Sequence, residues 1–228
     1  MKTYKITPSL HAAFHWHFKL EKPLAEFVDT LLRKPTETNE AMQAGIDFED
    51  AVEKCCETGL LPFGSVQNGY IENEDAGIIE THNDISEKEN KYNDCVIEVA
   101  GIVKGGDWQA TVAKTVLMPS HGFKIRLTGR TDVVCKSKIA DIKFVKQYEI
   151  GKYQPSIQHL IYLYCTGMDK FQYVASDGKD VYVEEYNYTS EQLEDMIFPM
   201  VNEFLCFIKN TEFEGRNLMD IYKAKWEV

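Results

Sequence analysis

Asp132, Asp141 and Lys143 lie close together near the middle of the chain, and Gln158 and Tyr162 follow one element later. Two carboxylates and an ammonium on a shared face are not what apolar packing selects. They suit a divalent cation, which takes oxygen ligands, and a phosphate, which a lysine meets as a point charge. Glu49, four residues after Gly45, adds a carboxylate on an upstream segment. The plainer alternative is an exposed cross-strand charge cluster, and a lone Asp-x-Lys would be read that way. Three features weigh against it. Gly129 permits close backbone approach, Gln158 and Tyr162 stand at the i, i+4 spacing of one helical face, and Glu49 supplies the further acid.

The elements that must position these groups can be read from residue type. Phe123 to Cys135 and Ile139 to Val145 are rich in β-branched and apolar residues and read as strands. Side chains alternate along a strand, so Ala140, Ile142 and Phe144 share one buried face, while Asp141 and Lys143 share the other. A two-residue turn at Lys136-Ser137 would pair Cys135 with Lys138 and set Asp132 opposite Asp141. Lys-Ser is a poor type I′ sequence, and a longer loop would keep the faces but make the pair diagonal. Like charges directly opposed repel, so removing either aspartate is expected to raise stability without metal.

Gly-x-x-Asp at 129–132, Asp-x-Lys at 141–143 and Gln-x-x-x-Tyr at 158–162 resemble the PD-(D/E)XK nuclease superfamily, in its RecB-like and phage exonuclease branch. The resemblance spans roughly residues 40 to 188, and its specificity comes from the order of the motifs. The first motif of that family often has His four residues after a Gly. Glu49 stands there in this chain, which resembles the lambda-exonuclease type.

The resemblance implies an α/β fold with a mixed sheet, a restriction-endonuclease-like αβββαβ core carrying N- and C-terminal helices. It implies one or two Mg2+ or Mn2+ ions held by Glu49, Asp132, Asp141 and the Ile142 backbone carbonyl. Lys143 would orient or deprotonate a water, or hold a phosphate oxygen. Gln158 and Tyr162 would orient substrate or water, with Tyr162 alternatively bracing Lys143. Arg130, Lys146, Lys152 and Tyr153 are the expected nucleic-acid contacts. The activity implied is a metal-dependent DNA exonuclease working at single- or double-stranded ends, in phage or mobile-element recombination or DNA processing. A second copy of the chain or a recombination protein would be its partner. The competing readings are an inactive nucleic-acid- or protein-binding module, a structure-selective endonuclease, and a metal enzyme on another substrate.

The remaining elements follow from caps and periodicity. A helix opens at Pro8-Ser9 and carries His11, His15 and His17. His11 and His15 have zinc-ligand spacing, but the aromatic-rich segment favours packing. Pro23 opens a second helix that Pro35 closes, and Asn39 caps a third running to Gly59. Residues 62–85 read as a loop. Ser86 with Glu89 forms a capping box for a helix that Gly105-Gly106 ends. Strands at 108–118, 123–135 and 139–145, a helix at 150–164, strands at 171–175 and 181–188, and helices from Thr189 or Ser190 and at 218–226 complete the reading. It gives one domain over 1–228, with the core at about 40–188 and helical additions at 8–35 and 190–227.

Composition constrains the setting. The chain has 228 residues, 44% of them hydrophobic, enough for a packed core. No stretch is long and apolar enough for a membrane span, and Met1-Lys2-Thr3-Tyr4-Lys5 leads into no signal-like segment, so a cytoplasmic protein is expected. The six cysteines show no Cys-x-x-Cys spacing, and none precedes Cys55. They read as free thiols, with no iron–sulfur cluster. A formal net charge of −11 argues against broad coating of duplex DNA, which lysine and arginine drive. Binding depends on the local field, however, and residues 121–152 carry eight basic and three acidic side chains. No zinc-finger spacing or basic zipper helix offers to read base edges, which favours action at ends.

Overall fold

In the computed structural model, residues 1–63 and 86–228 are described; most of the loop expected at 62–85 lies outside them. Among the described residues, seven α-helices surround three sheets. Strand β1 (Thr3–Ile6) leads into α1 (Pro8–Leu20), α2 (Leu24–Leu31), α3 (Glu40–Thr58) and α4 (Glu87–Val103). Then come β2 (Asp107–Trp108), β3 (Thr111–Met118), β4 (Phe123–Arg130), β5 (Val133–Cys135) and β6 (Lys138–Phe144). Helix α5 (Ile157–Thr166), β7 (Lys170–Ser176), β8 (Val181–Asn187), α6 (Ser190–Asn210), β9 (Glu212–Phe213), β10 (Arg216–Asn217) and α7 (Leu218–Trp226) complete the chain. This is the mixed α/β architecture expected, in the order helix, antiparallel strands, helix, strands.

The helix termini follow their caps. The side chains of Asn39 and Thr189 accept backbone N–H groups at the starts of α3 and α6, and Ser86 and Glu89 form the reciprocal box at α4. Gly59 closes α3 at a left-handed φ of 72°, which a residue without Cβ adopts freely. Helix α5 begins at Ile157, not at Ile150. Pro155 disfavours helical backbone in the residue before it, and Ser156 supplies the cap.

The largest departure from the sequence reading concerns the strands. Trp108–Met118 and Phe123–Cys135 read as two continuous strands, but each is broken. Strands β3 and β4 belong to a sheet ordered β1-β4-β3, whereas β2 and β5 belong to a sheet ordered β2-β5-β6-β7-β8. The antiparallel ribbon bends where it passes from one sheet to the other. At the bend Gln109 has a positive φ of 55°. Thr131 N–H donates to the Ala110 carbonyl at 2.9 Å, and Gln109 N–H to the Asp132 carbonyl at 2.8 Å. Strand β1 and the β9–β10 hairpin, all very short, were not expected.

The predicted turn holds. Cys135 pairs with Lys138 and Val133 with Ala140, and there the ladder stops. Asp132 therefore lies one step beyond the paired residues. Strand β6 then pairs in parallel with β7, with Asp141 beside Tyr173, and α5 is the crossover that such a connection needs.

Two cores flank the large sheet. Ala140, Ile142, Val133 and Val174 join Phe48, Val52 and the buried face of α4 in one cluster. Ile139, Phe171 and Tyr173 join α1, α2, α5, α6 and α7 in the other. The face that bears Asp141 is thus covered too, and Asp141 is fully buried. That excludes the exposed charge cluster. On α3 Phe48 is fully buried, whereas Ile46 is 45% exposed. Among the described residues no helix is long and apolar enough to cross a membrane.

Candidate functional site

Strand β6 presents Asp141 and Lys143 on successive positions of one face, and their side chains form an ion pair. Gln158, in the first turn of α5, donates its side-chain amide to Asp141 Oδ1 at 2.6 Å. Asp132 reaches the same strand from the bend, where its Oδ2 accepts the Ile142 N–H at 2.7 Å. Glu49 comes from α3 and accepts a hydrogen bond from Gln109 Nε2. Five of the expected residues, Glu49, Asp132, Asp141, Lys143 and Gln158, are therefore gathered around one strand; Ile142 joins them through its N–H.

The electrostatics report crowding of negative charge. Burial pushes the Asp132 carboxyl well above the usual carboxylate range, and Asp141 adds to the rise. Glu49 is raised for the same first reason, with Lys143 pulling the other way. Burial alone would lower the Lys143 ammonium, but Asp141 and Asp132 outweigh it and hold it above the usual lysine range. Lys143 is a fixed cation in this arrangement. Asp141 Oδ2 is fully buried and accepts no well-directed hydrogen bond; what it meets is the Lys143 charge.

Tyr162, on the next turn of α5, meets the end of β4. Its hydroxyl donates to the Arg130 carbonyl at 2.6 Å and has the Gln158 side chain as a second hydrogen-bonding neighbour. Its ring lies against Gly129, where an added Cβ would come within 2.4 Å of Cε1. Gly129 thus allows the close approach foreseen, and what approaches is Tyr162. The pair fixes the end of β4, one residue before the bend that carries Asp132.

Of the expected nucleic-acid contacts, Arg130 lines a cavity of about 380 Å3 with Thr7, Ser9, Gln158 and Tyr162. Lys152 and Tyr153 line another, of about 410 Å3, together with Lys143 and Gln158. Tyr153 stacks on Tyr173 with ring centroids 4.5 Å apart. Lys146 is exposed and lines neither cavity. Tyr148 stacks on Tyr182 and donates to Glu184, so it is committed to packing.

No family model matches this chain, and no curated protein matches it. Among solved structures it is similar to SSO0001, at 12% identity over 96% of this chain and 85% of that one, with a TM-score of 0.48. It is also similar to an alkaline exonuclease, LHK-Exo from Laribacter hongkongensis, at 15% identity over 96% of this chain and 90% of that one, with a TM-score of 0.46. Such slight likenesses assign no activity. The site has to be read from its own residues.

Its donor set is oxygen, from three carboxylates, two of which (Asp132 and Glu49) burial makes costly to ionise, and this suits a hard cation. Among the described residues, no three acids, histidines or cysteines are drawn close enough to form a ready cage. Two residues that sequence reasoning missed help to build the site. Gln109 holds Glu49, and the register that pairs Thr111 with Arg130 would have set it opposite Asp132. Tyr173 flanks Asp141 in the ladder, but nothing in its sequence neighbourhood distinguishes it from a core tyrosine.

His11, of the His11/His15 pair, is buried against Phe14, as packing requires.

Proposed function

We propose that this chain is a metal-dependent deoxyribonuclease, a PD-(D/E)XK-type enzyme that hydrolyses phosphodiester bonds at DNA ends. The observation that carries this is the convergence of Asp132, Asp141, Lys143 and Gln158 on β6, with Glu49 alongside. Asp132, Asp141, Glu49 and the Ile142 carbonyl would hold one or two Mg2+ or Mn2+ ions, which lower the pKa of a bound water and polarise the scissile phosphate. The chain's own groups do the rest. Gln158 fixes the orientation of the Asp141 carboxylate. The ammonium of Lys143 neutralises that carboxylate and is available to a phosphate oxygen or to the attacking water. Tyr162 acts through the backbone, holding the residue that enters the bend.

Action at ends follows from the absence of any evident base-reading module and from the acidic surface beyond the basic stretch. A role in phage or mobile-element DNA processing is part of the same reading. The test is a panel of labelled linear duplex, linear single strand and covalently closed circle, each with Mg2+, Mn2+ or EDTA. Degradation of linear DNA that EDTA stops and Asp141→Ala lacks is the expected result. Equal degradation of the closed circle would overturn end dependence, and wild-type cleavage by Asp141→Ala would overturn the assignment.

A further inference from the structure

Tyr173 is fully buried on β7, beside Asp141 of β6 in the parallel ladder. A tyrosine there could serve through its ring alone, and the ring does stack on Tyr153. The hydroxyl needs a separate account, because a buried phenol left without partners is costly. It turns to α5. His159 Nδ1 lies 3.2 Å from it, and the Ser156 side chain is its second hydrogen-bonding neighbour. Ser156 is also the N-cap of α5, and its Oγ accepts the Gln158 N–H at 3.1 Å. One hydroxyl on the strand next to Asp141 therefore meets the helix on both sides of Gln158, the residue whose amide reaches Asp141.

The hydrogens can be assigned along this chain of groups. Ser156 Oγ accepts from Gln158, which leaves its own hydrogen for the Tyr173 oxygen. The Tyr173 hydrogen then goes to His159 Nδ1. The imidazole is neutral at neutral pH, since burial lowers its pKa to about 4. It carries its hydrogen on Nε2, 3.5 Å from the Tyr188 hydroxyl. We propose that Tyr173 is a positioning residue for the site: its hydroxyl anchors the first turn of α5 and so sets the reach of the Gln158 amide to Asp141 Oδ1. The inference deepens the nuclease reading, on which it rests for the consequence of that reach. The first N–H groups of a helix have no partner one turn back, so caps and side-chain contacts decide where the opening turn of α5 sits. A small displacement there matters, because Gln158 orients a carboxylate that must meet a metal and a phosphate with little tolerance.

Tyr173→Phe deletes the hydroxyl and keeps the ring, and thermal melting checks that the variant is folded. Single-turnover cleavage of linear duplex at saturating DNA and Mg2+ should slow about tenfold, while affinity for the same duplex in EDTA changes less than about twofold. Because the effect runs through Gln158, adding Tyr173→Phe to Gln158→Leu should slow cleavage by less than about a further twofold. An undiminished rate in Tyr173→Phe, or an equal slowing in both backgrounds, would overturn the inference; the second is what a merely structural tyrosine gives. NMR supplies readings that need no activity. In the wild type His159 should carry its hydrogen on Nε2, and a hydrogen on Nδ1 would overturn the assignment even if Tyr173→Phe failed to fold. The side-chain amide resonances of Gln158 should move in Tyr173→Phe. A protein that cleaves no DNA yet shows that movement keeps the anchor and loses the nuclease reading. Unmoved resonances in an active nuclease remove the anchor and leave the nuclease.

Discussion

Gln158 Nε2 donates to Asp141 Oδ1 across 2.6 Å, joining the first turn of α5 to the middle of β6. Asp141 is fully buried, and among the described residues that amide and the Lys143 ammonium are the groups its carboxylate meets. Gln158→Leu should cost about 1–3 kcal/mol in stability, because a buried acceptor is left short of a donor. Cleavage should fall about 10- to 100-fold, the usual effect of freeing a ligating group. Urea titration and single-turnover rates would show both; a stable variant of full activity would contradict the role.

The two aspartates should differ in sign when replaced by asparagine in EDTA. Folding makes the Asp132 carboxyl harder to ionise, and Asp132→Asn removes that cost while keeping an acceptor for the Ile142 N–H. Stability at neutral pH is expected to rise, because the variant no longer carries a carboxyl that folding makes harder to ionise. Asp141→Asn removes the charge partner of Lys143 and should instead cost about 1–3 kcal/mol. The sequence-based expectation was that losing either acid relieves repulsion; the ion pair between Asp141 and Lys143 separates the two cases. Parallel denaturation curves at neutral pH decide it.

Glu49→Gln retains a hydrogen-bond acceptor for Gln109 and removes one charge from the site. The fold should persist and metal affinity should weaken, so that activity recovers partly as Mn2+ is raised. Metal dependence identical to wild type would make Glu49 a structural acid.

Gly129→Ala would set a Cβ 2.4 Å from Tyr162 Cε1, and the ring must move from the Arg130 carbonyl. The expected cost is about 1–3 kcal/mol. In a Tyr162→Leu background the same change should cost much less, since the obstructing ring is gone; full additivity in the double-mutant cycle would exclude the contact.

His159 is fully buried, its Nδ1 3.2 Å from the Tyr173 hydroxyl, and burial lowers its pKa to about 4. An unfolded histidine titrates near 6.5, so between those values the unfolded chain binds the extra proton. Stability from this group is therefore complete above about pH 6.5 and declines as pH falls toward 4, by roughly 3 kcal/mol in all. His11, likewise lowered to about 4, adds to the slope. Replacing His159 with Gln should flatten the profile of unfolding free energy in that window; an unaltered slope would rule out His159 as its source.

How much was legible varied with how local the signal was. Caps at Asn39, Ser86 and Thr189 depend on a few neighbouring residues and were read correctly. So was the Cys135–Lys138 pairing, because a turn and two alternating patterns fix a register. The ribbon bend at Gln109 and Thr131 was not legible. Both strands keep a β-type composition through it, and only the packing of α3–α4 on one sheet and α5 on the other separates them. The acids of the site could be named from spacing, whereas the true partner of Tyr162, a backbone carbonyl, has no side-chain signature.

The bend has a consequence for descent. Between Gly129 and Val133 the chain must satisfy Tyr162 in one layer, Ala110 at the corner and Ala140 in the next. One inserted residue between Gly129 and Val133 would carry Asp132 out of step with the Ile142 N–H that it accepts. Lineages that keep this chemistry are thus free to vary the letters at positions 131 and 133 within their volume, but not the count between the glycine and the ladder. Insertions have room at the Lys136-Ser137 turn.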